Sequence, residues 1–330
     1  MPMELDDTDN FMRSFNMFPN FRRPYNNDDL RIRSIKFSED GETMISANNR
    51  HTIDFYNCNT AQQVRSVNIF KYGVSVVDYM DANDKILVGS EAPVRGVYEI
   101  RELNITNQKY ETCYLGHSKP SVSLSVNTAN KVFLSGGLDK SIMLFDFRTR
   151  GPEVSRNNLS GVPLVALHPW TDLCAVALDD SRIEIYDLRG LNYGPFSSFK
   201  FNYDQIQWTS LKFSSDAKQI LISSNSSKIR VVNSYTGAVE QVFGSRRNML
   251  NIAIDASFTP NNEYILSGSS DGNVLVFSNN KKSGLDHERK VAELSSHQPE
   301  AITAVEMNPK YSLMATASSY VAFWVPNDAN

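Results

Sequence analysis

The chain has little of what membrane proteins, disulfide-rich proteins and zinc proteins require. Its 330 residues include three cysteines, Cys58, Cys113 and Cys174, which stand far apart and form no CxxC pair. This spacing favours reduced thiols in an intracellular protein over disulfides or a zinc site. No apolar run approaches the roughly 18 residues that span a bilayer, so no membrane partner is expected. The acidic start, MPMELDDTDN, lacks the composition of a signal peptide.

Motifs that bind phosphates and metals are also missing. The sequence has no GxxxxGK[ST] and no HExxH, and its five histidines are dispersed, so we expect neither a cofactor nor a metal site. The net charge of −4 argues against a dedicated duplex-DNA binder, because such domains are basic. Few basic residues alternate with aromatics, which speaks against direct RNA binding, an alternative that a salt-dependent mobility shift can test.

What the chain does have is a repeated pattern of short strands. The stretch SGGLDKSIMLFDFRT at 135–149 contains two apolar runs split by a polar turn, and similar pairs recur along the sequence. A third run that ends in a polar turn precedes most pairs. The residues before these turns are spaced by 41 to 49 positions: Phe37, Tyr79, Val126, Leu167, Phe213, Phe258 and Met307. A WD-type blade takes about 40–45 residues, so the spacing predicts an all-β, seven-bladed WD40-type β-propeller.

A propeller must close its ring, because otherwise the first and last blades expose strand edges. The last unit ends with VAFWVPNDAN and has room for only three strands. We therefore predict that residues 11–23 supply its fourth, outer strand, within one propeller domain of residues 11–330. Residues 1–10 are polar and acidic and are predicted to be a disordered tail.

One unit contains His117, Ser135 and Asp139, the residue types of a hydrolase triad. Triads are recognised by geometry rather than by residue type, and no GxSxG elbow exposes the serine. The pattern favours a buried structural relay, in which Asp139 orients His117 and His117 bonds Ser135. Asp180 and Asp271 occupy the same turn in other units and are expected to serve the same structural role.

A catalytic propeller would need carboxylates and histidines that converge on the central channel. The channel ends of the innermost strands offer Asp78, Asp204 and Asp255, but nothing in the sequence pairs them with a histidine. A propeller hydrolase is therefore the weaker alternative to a binding scaffold.

Several stretches beyond the generic repeat resemble the WD repeat-containing protein 82 family. They are FKYGVSVVDY (70–79), GHSKPSVSLSV (116–126), SGGLDKSIMLFDFRT (135–149), residues 186–223 with GPFSSFKF and WTSLKFSS, ASFTPNNEYILSGSSDG (256–272) and NPKYSLMATASSYVAFWVP (308–326). The resemblance runs from about residue 30 to 326. The chain departs from the family in a longer N-terminus, and in Met143 and Phe145, where the family usually has Arg and Trp.

This resemblance implies a non-catalytic scaffold subunit in the nucleus. Members of the family belong to the SET-domain complex (COMPASS) that methylates histone H3 on lysine four. They also join a phosphatase complex that acts in transcription termination and RNA 3′-end processing. They are associated with the phosphorylated C-terminal domain of RNA polymerase II. The departures from the family leave open a divergent adaptor for other peptide partners.

Exposed aromatic and cationic residues in the loops between blades are the candidates for partner binding, because interface hot spots favour Tyr, Trp and Arg. We select Lys71, Tyr72, Lys119, Arg246, Arg247 and Tyr320. The two adjacent arginines could bind an acidic or phosphorylated peptide, although solvated loop charge is the simpler interpretation. Tyr72 and Tyr320 could equally pack between blades. Most other aromatics fall at strand positions and are expected in the core.

Overall fold

Seven four-stranded antiparallel sheets arranged as a propeller make up the described part of the chain, residues 7–18, 30–81, 84–201, 206–280, 289–296 and 300–327 of this computed structural model. The prediction of an all-β, seven-bladed WD40-type propeller is confirmed. No helix among these residues is long and apolar enough to cross a bilayer.

The described chain begins with helix α1 (Asp7–Arg13) and strand β1 (Phe15–Met17). Blade 1 then contains, from the inside outwards, β2 (Ile32–Phe37), β3 (Thr43–Asn48), β4 (Thr52–Asn57) and β5 (Gln62–Asn68). Blade 2 contains β6 (Val77–Tyr79), β7 (Lys85–Gly89), β8 (Tyr98–Asn104) and β9 (Tyr110–His117). Blade 3 contains β10 (Ser121–Asn127), β11 (Val132–Gly137), β12 (Ile142–Asp146) and β13 (Val154–Arg156).

The remaining blades follow the same order. Blade 4 contains β14 (Leu164–Leu167), β15 (Leu173–Leu178), β16 (Arg182–Asp187), a 3-10 helix η1 (Leu188–Tyr193) and β17 (Ser197–Lys200). Blade 5 contains β18 (Trp208–Phe213), β19 (Gln219–Ser224), β20 (Ile229–Asn233) and β21 (Val239–Phe243). Blade 6 contains β22 (Ala256–Phe258), β23 (Tyr264–Ser267), β24 (Asn273–Ser278) and β25 (Lys290–Ser295). Blade 7 contains β26 (Ala304–Met307), β27 (Met314–Ala317) and β28 (Val321–Pro326).

The innermost strands end where the spacing of the repeat placed their ends. The residues Phe37, Tyr79, Leu167, Phe213, Phe258 and Met307 are the last residues of β2, β6, β14, β18, β22 and β26, and Val126 is the penultimate residue of β10. Each is followed by a polar turn that reverses the chain into the second strand. The repeated sequence pattern therefore marks the end of each innermost strand.

The N-terminal strand closes the ring. β1 pairs antiparallel with β28, so that Phe15 lies opposite Pro326 and Met17 opposite Trp324, and β1 becomes the outer strand of blade 7. Strand β1 occupies a smaller part of the chain than residues 11–23, because residues 11–13 belong to α1 and residues 19–29 lie outside the described residues.

Helix α1 differs from the prediction of a disordered tail, since residues 7–10 are helical, while residues 1–6 lie outside the described residues. Asp9 is only 2% exposed. It accepts a hydrogen bond of 2.9 Å from the Tyr264 hydroxyl and pairs with Arg289. Met12 enters the apolar core between blades 6 and 7. These contacts across blades outweigh the polar composition that suggested disorder.

The strand topology divides the loops between two faces of the ring. The turns between second and third strands, and the connections from one blade to the next, lie on what we call the upper face. The turns between first and second strands, and between third and fourth strands, lie on the lower face. All six residues selected for partner binding belong to upper-face loops, because every one of them follows a second or a fourth strand.

Candidate functional site

A hydrogen-bonded relay joins blade 2 to blade 3. His117 ends β9, with Nδ1 3.0 Å from Asp139 Oδ2 and Nε2 2.7 Å from Ser135 Oγ. Asp139 also accepts from the Ser141 hydroxyl at 2.6 Å and from the Ser118 N–H at 2.8 Å. Burial alone raises the pKa of Asp139, but the hydrogen bonds from His117 and Ser141 outweigh it and hold that pKa well below its usual range. The structure therefore brings together the three residues that the sequence grouped.

The relay resembles a catalytic triad in distances but not in access. His117 is 1% exposed and Ser135 0% exposed, so a substrate carbonyl has no route to the serine oxygen. Ser135 Oγ also lies 3.5 Å from the carbonyl oxygen of Met143. A closed polar network of this kind specifies how two blades pack, and it does not support hydrolysis.

Asp180 and Asp271 do not enter a relay with a histidine among the described residues. Asp180 accepts a hydrogen bond of 2.7 Å from the N–H of Trp208, which begins blade 5. Asp271 lies 3.3 Å from Arg247 Nη1 and accepts from the Asn273 N–H at 3.3 Å. The expectation that they repeat the role of Asp139 is corrected: the turn keeps its aspartate, but a backbone amide or an arginine replaces the histidine.

Arg246 is a buried structural residue, in contrast to its selection as an exposed one. Its side chain is 1% exposed. Nη1 donates to the Ile254 carbonyl at 3.0 Å, and Nη2 donates to the carbonyls of Ser224, at 2.7 Å, and Ser226. Burial lowers the pKa of Arg246 to about 10, so the guanidinium stays charged at neutral pH. It ties blade 5 to the loop that leads into blade 6.

Tyr320 is also removed from the candidates for partner binding. It lies in the turn between β27 and β28 and is 7% exposed, which matches packing within the ring rather than presentation to a partner. Arg247 does reach the surface, with its side chain 70% exposed, but it is paired with Asp271.

Lys71 and Tyr72 form part of a cation–aromatic cluster between blades 1 and 2. The Arg101 guanidinium lies 3.5 Å from the centroid of the half-buried Tyr72 ring, and Lys71 Nζ lies 5.1 Å from it. The ring of Tyr110 meets Tyr72 edge-on at 5.8 Å. A hydrogen bond from Lys71 lowers the pKa of Tyr72. Tyr72 thus positions the loop, while Lys71 and its neighbour Phe70, which is 70% exposed, face the solvent.

Basic residues concentrate on the upper face of blades 1 to 3. We define the basic sector as residues 30–33, 48–51, 69–76, 90–97, 118–120 and 137–141. It has seven exposed basic side chains, Arg31, Arg33, Arg50, Lys71, Arg95, Lys119 and Lys140, and its carboxylates are Glu91 and Asp139. This excess of positive charge stands on a chain whose net charge is −4. Lys119 is therefore one member of a larger surface.

The carboxylates of the central channel face lysines. Lys212 Nζ lies 2.6 Å from Asp255 Oδ2, and Lys36 Nζ lies 3.9 Å from Glu306. Burial raises the pKa of Asp78, whereas that of Asp255 is lowered, because Lys212 outweighs the effect of burial. Asp204, the third channel candidate, lies outside the described residues. Among the described residues no cluster of carboxylates, histidines and cysteines could hold a metal ion.

Comparison with known proteins assigns the family. The family model "WD domain, G-beta repeat" matches residues 108–146 and 251–278, which include the relay of blade 3 and three strands of blade 6. The sequence is 36% identical over 325 residues to "WD repeat-containing protein 82" of Drosophila melanogaster, with 98% of each chain covered. The chain belongs to the WD repeat-containing protein 82 family.

Two fungal proteins are also similar to this chain over most of its length. "COMPASS component SWD2" of Saccharomyces cerevisiae is 25% identical over 303 residues, which cover 89% of this chain and 90% of that protein. "Set1 complex component swd2" of Schizosaccharomyces pombe is 22% identical over 333 residues, which cover 89% of this chain and 92% of that protein. Similarity therefore extends around the whole ring.

Met143 and Phe145, the two departures from the WD repeat-containing protein 82 family in blade 3, are both buried in the core. Phe145 is fully buried and stacks on Phe133, with ring centroids 4.8 Å apart and planes 11° apart. Tyr114 meets both rings edge-on. Met143 is 6% exposed, so it is a core residue. Phe145 thus belongs to a cluster of aromatic rings in the core.

Sequence reasoning missed the exposed aromatics of this family member. Phe70, Trp170, Tyr193, Phe196 and Tyr235 are between 65% and 95% exposed, although aromatics were expected in the core. The available signal was their position: Trp170, Tyr193 and Phe196 each directly follow a Pro or an Asn, and none of the five aromatics lies within a strand.

Proposed function

We propose that this chain is a non-catalytic scaffold subunit of a nuclear, COMPASS-type complex that methylates histone H3 on lysine four. The observation that carries the proposal is similarity over 89–98% of the chain to the Drosophila protein and to two fungal proteins named as subunits of COMPASS or Set1 complexes. Because the entire ring is covered, the unit compared is the whole propeller rather than one repeat.

The basic sector is the proposed docking surface for such partners. Its excess of cations attracts acidic or phosphorylated segments, and charge-assisted hydrogen bonds to phosphate or carboxylate are stronger than neutral ones. Phe70 and Leu138, which are 70% and 41% exposed, add apolar anchors beside the charges. Aromatic anchors surrounded by polar groups are the usual composition of an interface hot spot.

The loop that bears Phe70 and Lys71 is pre-organised for binding. The carbonyl of Tyr72 accepts hydrogen bonds from the N–H groups of Glu91, at 2.9 Å, and Ala92, at 2.8 Å. Arg33 Nη1 donates to the Val74 carbonyl at 3.2 Å. A loop held in this way loses little conformational entropy when a partner docks, which favours affinity.

The basic sector also suits binding of the phosphorylated C-terminal domain of RNA polymerase II. The proposal includes membership of a phosphatase complex that acts in transcription termination. The sign of the surface charge and the family resemblance support binding of the phosphorylated domain, whereas the family resemblance alone supports the phosphatase complex. The burial of Ser135 and the lysines beside the channel carboxylates support a scaffold over a hydrolase.

Affinity purification of the tagged chain from nuclear extract, followed by mass spectrometry, tests the proposal. We expect recovery of a SET-domain methyltransferase with its core subunits, and phosphatase and cleavage factors in the same eluate. The variant Lys71→Glu/Lys119→Glu/Lys140→Glu should lose partners, because it reverses charge in the basic sector. Lys109→Glu/Lys131→Glu/Lys218→Glu, which reverses three exposed lysines on the lower face, is the matched control.

The outcomes separate the alternatives. Recovery of phosphatase and cleavage factors alone indicates a paralogue specialised for termination, and unrelated proteins alone indicate an adaptor for other partners. Retention of all partners by the triple variant contradicts docking at the basic sector. A fluorescent fusion outside the nucleus contradicts the location, and a salt-dependent shift of single-stranded RNA by the purified chain revives the RNA alternative.

A further inference from the structure

The turns around the lower mouth of the central channel are strongly acidic. We define the lower rim as the turns between first and second strands, residues 38–42, 80–81, 84, 128–131, 168–172, 214–218, 259–263 and 308–313. Its three lysines are outnumbered by eight carboxylates: Glu39, Asp40, Glu42, Asp81, Asp84, Asp172, Asp216 and Glu263. This excess of negative charge lies on the face opposite the basic sector and stands outside the proposed function.

Contacts between blades make the rim continuous through blades 7, 1, 2 and 3. Asn308 Nδ2 of blade 7 donates to the Gly41 carbonyl of blade 1 at 2.7 Å. The Thr128 hydroxyl of blade 3 donates to Glu39 of blade 1 at 2.9 Å. Thr128 also lines one cavity together with Asp81 of blade 2. These four turns therefore share one surface.

The remaining turns join this surface through blade 3. Asn130 Nδ2 of blade 3 lies 3.4 Å from Asp172 of blade 4. Trp170 Nε1, in the same blade 4 turn, donates to the Ser215 carbonyl of blade 5 at 2.8 Å. Ser215 Oγ in turn accepts from Asn262 Nδ2 of blade 6 at 2.7 Å. The acidic turns are thus parts of one ring rather than isolated loops.

The negative charge is confined to the mouth of the channel. Four exposed carboxylates of the rim have no ion-pair partner among the described residues: Glu39, Glu42, Asp84 and Asp172. Lys218 lies 3.6 Å from Asp216. The outer turns of the same face carry cations instead, namely Lys109, Arg148, Arg150 and Arg189. A cation that approaches this face is therefore attracted towards the channel.

A charged layer of the channel wall lies directly above the rim. Lys36, Asp78, Lys212 and Glu306 each stand immediately before the last residue of an innermost strand. The residues that follow them pack with the apolar cores between blades, so alternation along the strand directs these four towards the channel. The side chains of Lys36 and Glu306 are 31% and 22% exposed, which shows that solvent reaches this layer.

The charges of this layer do not balance. Together with Asp255, three carboxylates face two lysines. Lys212 Nζ lies 2.6 Å from Asp255, and Lys36 Nζ lies 3.9 Å from Glu306, whereas Asp78 has no ion-pair partner among the described residues. The pKa of Lys36 is raised chiefly by Glu306 and further by Asp78 and Asp255, which outweigh the effect of burial. The three carboxylates therefore act on one region of the channel.

Two buried oxygens of the layer have no hydrogen-bond partner in the described part of the chain. One is Glu306 Oε2, and the other is the Oγ atom of Ser257. Ser257 stands immediately before the last residue of β22 and is only 4% exposed. Buried polar atoms are almost always satisfied, so these two oxygens, next to an excess of carboxylates, indicate a site for a group that donates hydrogen bonds.

A cationic side chain fits this site better than a metal ion does. Lys36 and Lys212 would repel a bare ion, and no cluster among the described residues could hold a metal. A guanidinium or ammonium group is charged and donates several hydrogen bonds. The basic sector repels cations from the upper mouth, while the acidic rim concentrates them at the lower mouth. The field thus selects both the sign of the ligand and its direction of entry.

We propose that the lower rim and the channel layer bind a lysine- and arginine-rich segment of a partner protein. One cationic side chain of that segment enters the channel and donates hydrogen bonds to Glu306 and Asp78, which are charge-assisted and therefore strong. The rim supplies the long-range attraction and the channel supplies the specific contact. With the basic sector on the other face, the ring holds an acidic and a basic segment at once.

Fluorescence anisotropy of a labelled peptide with the purified full chain tests this proposal. The probe is a decapeptide of alternating Gly and Arg, which we expect to bind saturably and more weakly as salt is added. The same peptide with citrulline in place of Arg keeps the shape without the charge and should not bind. The variant Asp78→Asn/Glu306→Gln removes two carboxylates at nearly constant volume and should weaken binding about tenfold or more.

The matched control is Glu153→Gln/Glu293→Gln, which removes two exposed carboxylates that lie outside the rim and the channel. It should bind the arginine peptide as the unchanged chain does. Thermal unfolding of both double variants should show that they are folded, because each replacement keeps the shape of the side chain.

The outcomes separate the channel site from general attraction. Absence of saturable binding overturns the proposal, and so does equal binding of the citrulline peptide. Equal affinity of the unchanged chain and of Asp78→Asn/Glu306→Gln overturns it as well, as does an equal loss in both double variants, since net charge alone then explains binding. Each result is independent of which nuclear complex contains the chain.

Discussion

The junctions that lead into blades 3 and 6 fill the same buried position with different chemistry. In blade 3, His117 bonds both Asp139 and Ser135. In blade 6, a serine again stands four residues before the turn aspartate, but Arg246 lies 3.5 Å from Ser267 Oγ, and its neighbour Arg247 pairs with Asp271.

The difference follows from what each side chain can donate and accept. An imidazole has one donor and one acceptor when neutral, so it needs a carboxylate on one side and a hydroxyl on the other. A guanidinium only donates, so Arg246 takes carbonyl oxygens as partners. The position between an outer strand and the next blade therefore requires a buried polar group, while the identity of that group is free.

Removal of Arg246 should have the largest effect. Arg246→Ala leaves the carbonyls of Ile254, Ser224 and Ser226 buried without a donor, and we expect a loss of about 3–5 kcal/mol in the free energy of unfolding. Chemical denaturation measures this loss. Arg247→Ala is the matched control and should stay within about 0.5 kcal/mol of the unchanged chain. Equal losses for both variants would contradict the assignment of Arg246 as the structural residue.

The blade 3 relay should be the next most sensitive. His117→Ala leaves Asp139 and Ser135 without their shared partner, and we expect a loss of about 2–3 kcal/mol in the free energy of unfolding. Lys119→Ala, two residues away and exposed, serves as its control. If His117→Ala proves as mild as Lys119→Ala, the relay does not hold the two blades together.

The serines of the two junctions, Ser135 and Ser267, should differ in how much they contribute to stability. Ser135 Oγ lies 2.7 Å from His117, whereas Ser267 Oγ lies 3.5 Å from Arg246. We therefore expect Ser135→Ala to cost about 1 kcal/mol and Ser267→Ala about half of that or less. Denaturation of the two variants side by side measures the difference, and the reverse order would show that the guanidinium depends on its serine.

The pH dependence of the free energy of unfolding should give the smallest difference between the blade 3 and blade 6 junctions. The pKa of Asp139 is lower in the folded chain than in the unfolded chain, so its stabilisation is complete above the ordinary aspartate pKa of about 4 and is lost as the pH falls further. Between pH 5 and pH 4 we expect Asp139→Asn to lose less stability than the unchanged chain, by under about 1 kcal/mol. Arg246→Lys, which keeps the relay, should follow the unchanged chain, and parallel curves for all three proteins would exclude this role of Asp139.

The parts of the molecule that repeat could be predicted from the sequence. The turn residues recur at blade spacing, so the ends of the innermost strands and the grouping of His117 with Ser135 and Asp139 could be read along the chain. Closure by an N-terminal strand followed from the exposed edge that three strands would leave in the last unit.

The parts that depend on a single distant contact could not be predicted. Arg246 resembles any solvated loop arginine until the carbonyls of Ser224 and Ile254 surround it. Helix α1 has seven residues, which is too short to show a helical period or to be stable alone. The exposure of Tyr193 depends on the 3-10 helix η1 that it ends, while composition indicates only that aromatics prefer the core.

The closing strand has a consequence for the order in which the protein is made. Arg13, beside β1, donates to the Val291 carbonyl, a partner 278 residues later in the chain. At about 5–20 residues per second, a ribosome needs roughly a quarter of a minute to a minute to produce that partner. During synthesis β1 therefore has no pairing partner while six blades are made. The ring closes only after β28 has left the ribosome.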